Sequence, residues 1–501
     1  AVAFECKHVK LMTRYYLESH ISIRKFSPEI SKRTVKNYVE LLDPGKVYFS
    51  QKDVDQFKAQ FDRRLGDMIA KTDCSAVDLI YSVYAQRFDE QQKTIHELID
   101  AKHDFTVDEH MQIDRKKMEF TDKDSEKKER WRKRVKFQFL QLRKTLSDDK
   151  KIREKLHKRY QLAKKRHQEL SSEDVYGFFL DSFSTALDPH TDYFSPAQLE
   201  EFRIQTRLSL EGIGARLRSE DGVTVIESLV TGGAAYKSGL VKAGDKIVAV
   251  AQGDEVPVDV IDMDLKDVVK LIRGPGNTVV KLTLRRNKKE IIAPIVRERI
   301  QLADRAARPV HYTVETKSGS KQESMLVGLI DLPSFYMDFE GRQANKKDYR
   351  SSSRDMKKAI DELKKKKIGA LIVDLRSNGG GSLDEAINVA GLFNGPGPVV
   401  QIRGRESKTY TSTYDGKAAY DGPLVVLTDR QSASASEILA GAIKDYERGI
   451  LVGDSHTFGK GTVQNLNDID PKLGAIKVTI STFYRPSGSS TQKEGVPSDI
   501  V

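Results

Sequence analysis

One stretch, residues 424–464, restricts the fold of this 501-residue chain more than any other. It begins with the short apolar run LVVLT, passes through the serine-rich turn SASASE at residues 432–437, and ends beyond a lysine, Lys460, set between Gly459 and Gly461. Ile438, Leu439, Ala442, Ile443 and Tyr446 fall on one face at helical spacing, and ILV at residues 450–452 reads as a second apolar strand. Ser434 and Glu437 form the S-x-x-E pattern of a capping box, which puts Ser434 at the helix N-terminus. Parallel strands joined by a helix release their loops at the same sheet edge, so the serine turn and the Gly-Lys-Gly loop are expected to lie close together.

A serine hydroxyl is a poor nucleophile until a base takes its proton, and a lysine is such a base only where burial keeps it neutral near pH 7. Backbone N–H groups at the helix start, with the helix dipole behind them, favour an oxyanion. Spacing alone leaves two readings open: Ser434 as a helix cap, or Ser434 as the nucleophile of a Ser/Lys dyad.

SASASE followed by TFGKGTVQ resembles the active-site signature of the C-terminal processing peptidases, most closely their periplasmic tail-specific protease branch. LDPHTDYF at residues 187–194, RGP at 273–275, DLRSNGGG at 374–381, FYR at 483–485 and GVPSDI at 495–500 agree with it, and weaker similarity at LLD (41–43) and VYF (47–49) reaches toward the N-terminus. The resemblance makes Ser434 the nucleophile, Lys460 the general base and Gln464 the group that orients the lysine. One departure from the family matters: the 453–459 loop is one residue longer than usual, the extra residue lying ahead of Thr457, with the register from Thr457 onward expected to be preserved. The glycines after Asp374 become the second half of an oxyanion hole, Gly380 or Gly381 donating beside Ala435.

The remaining texture of the chain divides in three. Residues 1–204 read as helical, with 77–98 and 130–164 as the longest candidates and Pro28, Pro44 and Gly45 as early breaks. Residues 205–298 change to short strands with glycine turns and one amphipathic helix at 265–272, resembling a circularly permuted PDZ domain. In that family a glycine turn offers converging N–H groups to a peptide carboxylate, and Glu211, Gly212, Ile213 and Gly214 match its place, with Val268 and Ile272 facing the peptide's last side chain. Residues 299–501 alternate strand and helix, with 316–324 as a polar surface loop, which argues for α/β with a substantially parallel sheet. The expectation is a multidomain α+β protein: a helical N-terminal region, a small β-rich PDZ domain, and an α/β protease domain with the mixed sheet of the crotonase/ClpP type.

Composition removes other classes. No apolar run approaches the ~20 residues of a membrane span, and the opening Ala1-Val-Ala-Phe4 is no signal peptide. A cytosolic chain and one whose signal has been removed both fit; the resemblance favours a mature periplasmic chain and implies that a further domain follows Ser498-Asp-Ile500. Cys6 and Cys74 are too few for a disulfide scaffold or a metal cluster, but one bridge between them suits an oxidising compartment. The net charge of +11 is concentrated around residues 116–166, interspersed with acids, as in helices with solvated faces; Trp131, Phe137 and Phe139 are among its few stacking candidates, and no nucleic-acid partner is expected.

A P-loop fails on spacing, because Lys460 is followed by Gly461. A Ser-His-Asp triad of Ser434, His456 and Asp445 fails on reach, because Asp445 lies about 16 Å along the helix from Ser434. The S-x-x-K letters at 125–128 and 318–321 fall in charged or flexible stretches. A serine endopeptidase is therefore expected that needs no metal or cofactor, selects protein substrates with apolar C-termini and has room for an adaptor. The alternative is a PDZ adaptor with an inactive protease-like domain.

Overall fold

The computed structural model describes residues 4–318 and 321–501. Its N-terminal part is helical. Helices Cys6–Ser19, Pro28–Leu42 and Ser172–Leu187 bury Val9, Tyr16, Val39 and Phe183 in one core, and Cys6 is disulfide-bonded to Cys74. Pro28 occupies the first turn of its helix behind the capping Ser27, where its missing N–H costs nothing.

The long candidate helix at 130–164 is in fact two, Asp124–Arg143 and Asp149–Gln168. The break falls where the Asp148 carboxylate accepts the N–H of Lys150 at 2.8 Å and caps the second helix. Trp131 and Phe139 are buried with Ile95, Ile99 and Leu156, so these charged helices fold around a small core of their own. The second helix reaches the PDZ region through Lys155–Asp221, Lys158–Asp262 and Arg166–Asp264 ion pairs at 2.9, 3.4 and 3.2 Å.

The PDZ region is a six-stranded antiparallel sheet with Ala215–Glu220 at one edge and helix Leu265–Ile272, capped by Asp264, against its core. Strands Ser209–Gly212 and Glu298–Gln301 pair with each other where the chain enters and leaves.

The C-terminal part holds two sheets. In one, Lys321–Asp331, Ala370–Asp374, Leu424–Thr428 and Ile450–Gly453 run parallel in that order. Helices Ser352–Lys365, Leu383–Asn394 and Ala435–Asp445 bury Ile360, Val389, Leu439 and Ile443 against Leu371, Val373 and Val426. In the other, Gly474–Tyr484 is central, pairing with Asp192–Phe194, Gly397–Gly404 and Thr462–Asp470. It is buried on both faces: Phe483 joins the core of the C-terminal part, whereas Ile476 and Val478 join the N-terminal helical core. The helical region and the C-terminal part thus share one strand.

The segment 316–324, expected as a surface loop, is instead the tip of a hairpin. Arg308–Ser318 and Lys321–Asp331 pair throughout, with Thr316 opposite Glu323. Two arms satisfy each other's backbone groups even where polar side chains leave nothing to bury. Gly319 and Ser320 lie outside the described residues.

Candidate active site

The loops after Asp374, Thr428 and Gly453 all leave the same edge of the parallel sheet and converge. The serine turn is stitched to the glycine loop. Asp429 accepts the N–H groups of Ser377, Gln431 and Ser432 at 2.9–3.0 Å. The Ser432 hydroxyl donates to the Leu375 carbonyl at 2.8 Å and the Ser436 hydroxyl to that of Asn378 at 2.9 Å. Both flanking serines are therefore structural. The Ser434 hydroxyl oxygen faces the Glu437 N–H in a capping box, short of a full cap hydrogen bond, and unlike its neighbours it donates to no acceptor among the described residues. Ser434 has φ 58° and ψ −110°, a region costly for a side-chain-bearing residue, held by these surrounding bonds.

Glu437 ties the serine to the lysine. Its buried carboxylate accepts the N–H of Ser434 (2.7 Å), the hydroxyl of Thr457 (2.7 Å), and the N–H groups of Gly459 (2.6 Å) and Lys460 (2.9 Å). Burial raises its pKa above the usual carboxylate value, with those four donors opposing the rise. The glycines around Lys460 are there for close approach: a Cβ on Gly459 or Gly461 would stand 2.9 Å from the Lys493 backbone or the Gln492 side chain. The Thr491 hydroxyl holds the Lys460 carbonyl at 2.7 Å.

Ser434, Lys460 and Gln464 line one cavity of about 850 Å³, with Phe335, Ile438 and Phe483 as its apolar wall. Burial, helped by the Lys477 ammonium, brings the Lys460 pKa down to about 8, against the pull of Glu437 and Asp188. Gln464 does not hydrogen-bond Lys460 directly; its Nε2 donates to the Thr462 and Thr479 hydroxyls at 2.9 and 3.1 Å. His456 turns its Nδ1 to the Thr457 carbonyl, and Asp445 pairs with Arg485, so neither is arranged as part of a triad.

The choice between Gly380 and Gly381 is narrowed by Asn378. A Cβ on Gly380 would stand 2.9 Å from the Ser434 Cβ and 3.0 Å from the Ala435 nitrogen, so its backbone lies directly against the serine. Its N–H, however, donates to the Asn378 Oδ1 at 2.9 Å and is unavailable to a ligand. Gly381, at φ 147°, lines the cavity with Ala435. The Gly381 N–H and the first-turn N–H of Ala435 have no hydrogen-bond partner among the described residues.

In the PDZ region Gly214 has φ 72°, and Glu211 accepts the N–H of Gly276 at 3.1 Å. Ile213, Val268 and Ile272 are core residues there, 3%, 0% and 3% exposed. The two helix residues were expected to face a peptide. They pack into the domain core instead of lining an open pocket, because the helix turns the Val268 and Ile272 side of its apolar face inward.

Sequence reasoning used Glu437 only as a capping residue and passed over Asp188, although both lie in the motifs quoted above. Their other partners are distant in sequence, so only the folded chain displays them.

Residues 326–501 match peptidase family S41, residues 12–197 the tail specific protease N-terminal domain, and residues 201–285 a PDZ domain. The chain is 37% identical to a tail-specific protease of Haemophilus influenzae, over 98% of its own length and 69% of that protein's. It is 32% identical to a carboxy-terminal-processing protease of Bartonella bacilliformis, over 63% of its length and 67% of that protein's. A solved PDZ domain of a carboxy-terminal protease from Vibrio cholerae, in complex with peptide, is 46% identical over 19% of this chain and 100% of that one, at a TM-score of 0.19. With the serine turn, a buried lysine and a PDZ domain on the page, the chain belongs to peptidase family S41, as a serine-type endopeptidase of the tail-specific, C-terminal processing kind.

Proposed function

We propose that Ser434 and Lys460 form the catalytic dyad of this protease. The observation that carries the reading is an uncommitted serine hydroxyl and a buried, base-strength lysine in one cavity, tied through a single carboxylate. The neutral Lys460 amine takes the Ser434 proton as Oγ attacks the scissile carbonyl. The oxyanion is met by the N–H groups of Ala435 and Gly381, and the Lys460 ammonium protonates the departing amine. Lys460 then takes a proton from water, which hydrolyses the acyl-serine and restores the free hydroxyl. Gln464 serves as an orienting group.

The PDZ region selects the substrate. Its edge strand Ala215–Glu220 is free to pair with an extended peptide, and the Gly212–Gly214 turn offers N–H groups to the terminal carboxylate. An apolar last side chain enters by displacing the helix that keeps Val268 and Ile272 covered. The division of labour follows residues 1–204, 205–298 and 299–501, with the paired strands Ser209–Gly212 and Glu298–Gln301 as the neck between the last two. The substrates are cell-envelope proteins and the compartment is the periplasm; the Cys6–Cys74 bridge supports an oxidising location. Among the described residues no helix is long and apolar enough to cross a membrane.

The test is digestion of a loosely folded protein by the wild type and by Ser434→Ala, with and without a metal chelator. Cleavage by the wild type alone, indifferent to chelator, is expected. Cleavage by the variant would remove Ser434 as nucleophile.

A further inference from the structure

Asp188, on the loop that leads from the N-terminal helices into the protease sheet, accepts five hydrogen bonds. Its Oδ1 accepts the N–H groups of His190 (2.7 Å) and Thr191 (3.1 Å) and the hydroxyl of Thr479 (3.1 Å). Its Oδ2 accepts the hydroxyl of Thr191 (2.5 Å) and the Nε2 of His20 (2.9 Å). His20, itself buried, accepts the N–H groups of Ser22 and Ile23 on Nδ1 at 3.1 and 3.0 Å, which fixes its proton on Nε2. The adjacent Ile21 N–H donates to the Thr479 carbonyl at 2.8 Å. Every group around Asp188 is a donor turned toward it.

We propose that Asp188 is a positioning residue for the protease reaction: it sets the direction of the Thr479 hydroxyl, and through it the orientation of the Gln464 amide beside Lys460. The inference rests on the Ser434/Lys460 reading. An ionised carboxylate can only accept, so the Thr479 proton points to Asp188, and its oxygen is left to accept from Gln464. Gln464 therefore turns Nε2 toward Thr479 and Thr462, as observed, which leaves Oε1 as the acceptor of a side chain that lines the cavity with Lys460. Burial opposes ionisation of Asp188, but its donors outweigh that cost and hold its pKa below the usual carboxylate range. The N-terminal region thereby completes the catalytic centre: the charge at 188 directs a chain of hydrogen bonds that ends at Gln464, in the cavity it shares with Lys460.

Lys477, Glu437 and Asp188 are the charged groups that act on Lys460, and the His190 imidazole feels the Lys460 charge in return. In Asp188→Asn a neutral amide oxygen replaces the charged one that holds Thr479, which loosens the Thr479–Gln464 arrangement, and a negative charge that favours the Lys460 ammonium is lost. That loss disfavours the ammonium. The acid limb of the kcat/KM profile should move to lower pH while kcat falls by up to about 100-fold, as misplaced catalytic groups do, with KM little changed. Thr479→Val should reproduce the fall, and Thr479→Ser, which keeps the hydroxyl, should restore it; this pair decides the matter if Asp188→Asn does not fold.

Labelling of Ser434 by a fluorophosphonate separates this proposal from the reading beneath it. Labelling lost in Lys460→Ala, with the Asp188→Asn and Thr479→Val effects as stated, supports both. Labelling lost in Lys460→Ala, with a wild-type pH profile and kcat in folded Asp188→Asn or in Thr479→Val, overturns the positioning role alone. Undiminished labelling in Lys460→Ala overturns the dyad and the proposal with it.

Discussion

The Glu437 Oε2 atom accepts the backbone N–H of Lys460 at 2.9 Å and that of Ser434, three residues before it on its own helix, at 2.7 Å. One carboxylate oxygen thus sets the spacing of the two proposed reactive groups, while the other holds Thr457 and Gly459. Glu437→Gln replaces one acceptor oxygen by a donor facing N–H groups. It should lower the melting temperature, each buried donor left unpaired costing about 1–3 kcal/mol, and reduce kcat more than a comparable loss of stability at a site away from the cavity. Thermal unfolding and steady-state kinetics on the same preparations measure both.

Lys460 carries a cost when charged. Its pKa in the fold is about 8, below the value of an exposed lysine, so between those two values the unfolded chain binds more protons and stability rises with pH. Below pH 8 both states are protonated and the folded state bears the full burial penalty. Lys460→Met should therefore be more stable than the wild type at pH 7, by at most about 3 kcal/mol on the size of the shift, and the difference should narrow as pH rises through 8 toward 10. Denaturant unfolding at several pH values is the check.

The nearness of Ser434 and Lys460 was legible in the sequence because the elements that bring them together are local, a strand, a capped helix, a second strand and a glycine-flanked lysine; their proposed roles came from the resemblance. Gln464 was legible as a position but not as a contact, since its partners Thr462 and Thr479 depend on strand register. The choice between Gly380 and Gly381 was hidden, because it turns on where the Asn378 amide points after the loop folds. Val268 and Ile272 were correctly placed on an apolar helix face, and periodicity cannot tell a core-facing residue from one that lines a groove. The hairpin tip at 316–324 was hidden because polar residues in a two-stranded ribbon resemble those of a loop. The helix break near Asp148 left a trace only in the capping residue.

The Cys6–Cys74 disulfide spans 68 positions of sequence and fastens helix Cys6–Ser19 to the helical core. Chain entropy assigns such a crosslink about 4 kcal/mol. Reduction, or a Cys6→Ala/Cys74→Ala pair, should lower the melting temperature, and the effect of reductant on the wild type should vanish in the double variant. Calorimetry with and without reductant distinguishes the bond from other thiol chemistry.

Substrate selection should reside in the PDZ edge and be separable from the chemistry. At concentrations below saturation, a substrate ending in Ala-Ala should be cleaved faster than the same chain ending in Asp-Asp or in an amide. Gly214→Val should narrow that difference: valine is strained at φ 72°, and its Cβ would stand 2.7 Å from the Ile300 side chain. Equal cleavage of the three substrates by the wild type would make the Gly212–Gly214 turn a structural one.

The central claim is that Lys460 activates Ser434. The most direct measurement is the rate of covalent labelling by a fluorophosphonate across pH 5 to 10, with the site located by mass spectrometry. The account predicts a single label on Ser434, formed at a rate that climbs roughly tenfold per pH unit below the lysine's pKa of about 8 and levels off above it, and no appreciable label in Lys460→Ala. A label on another residue, or Ser434 labelled at the wild-type rate in Lys460→Ala, would contradict it.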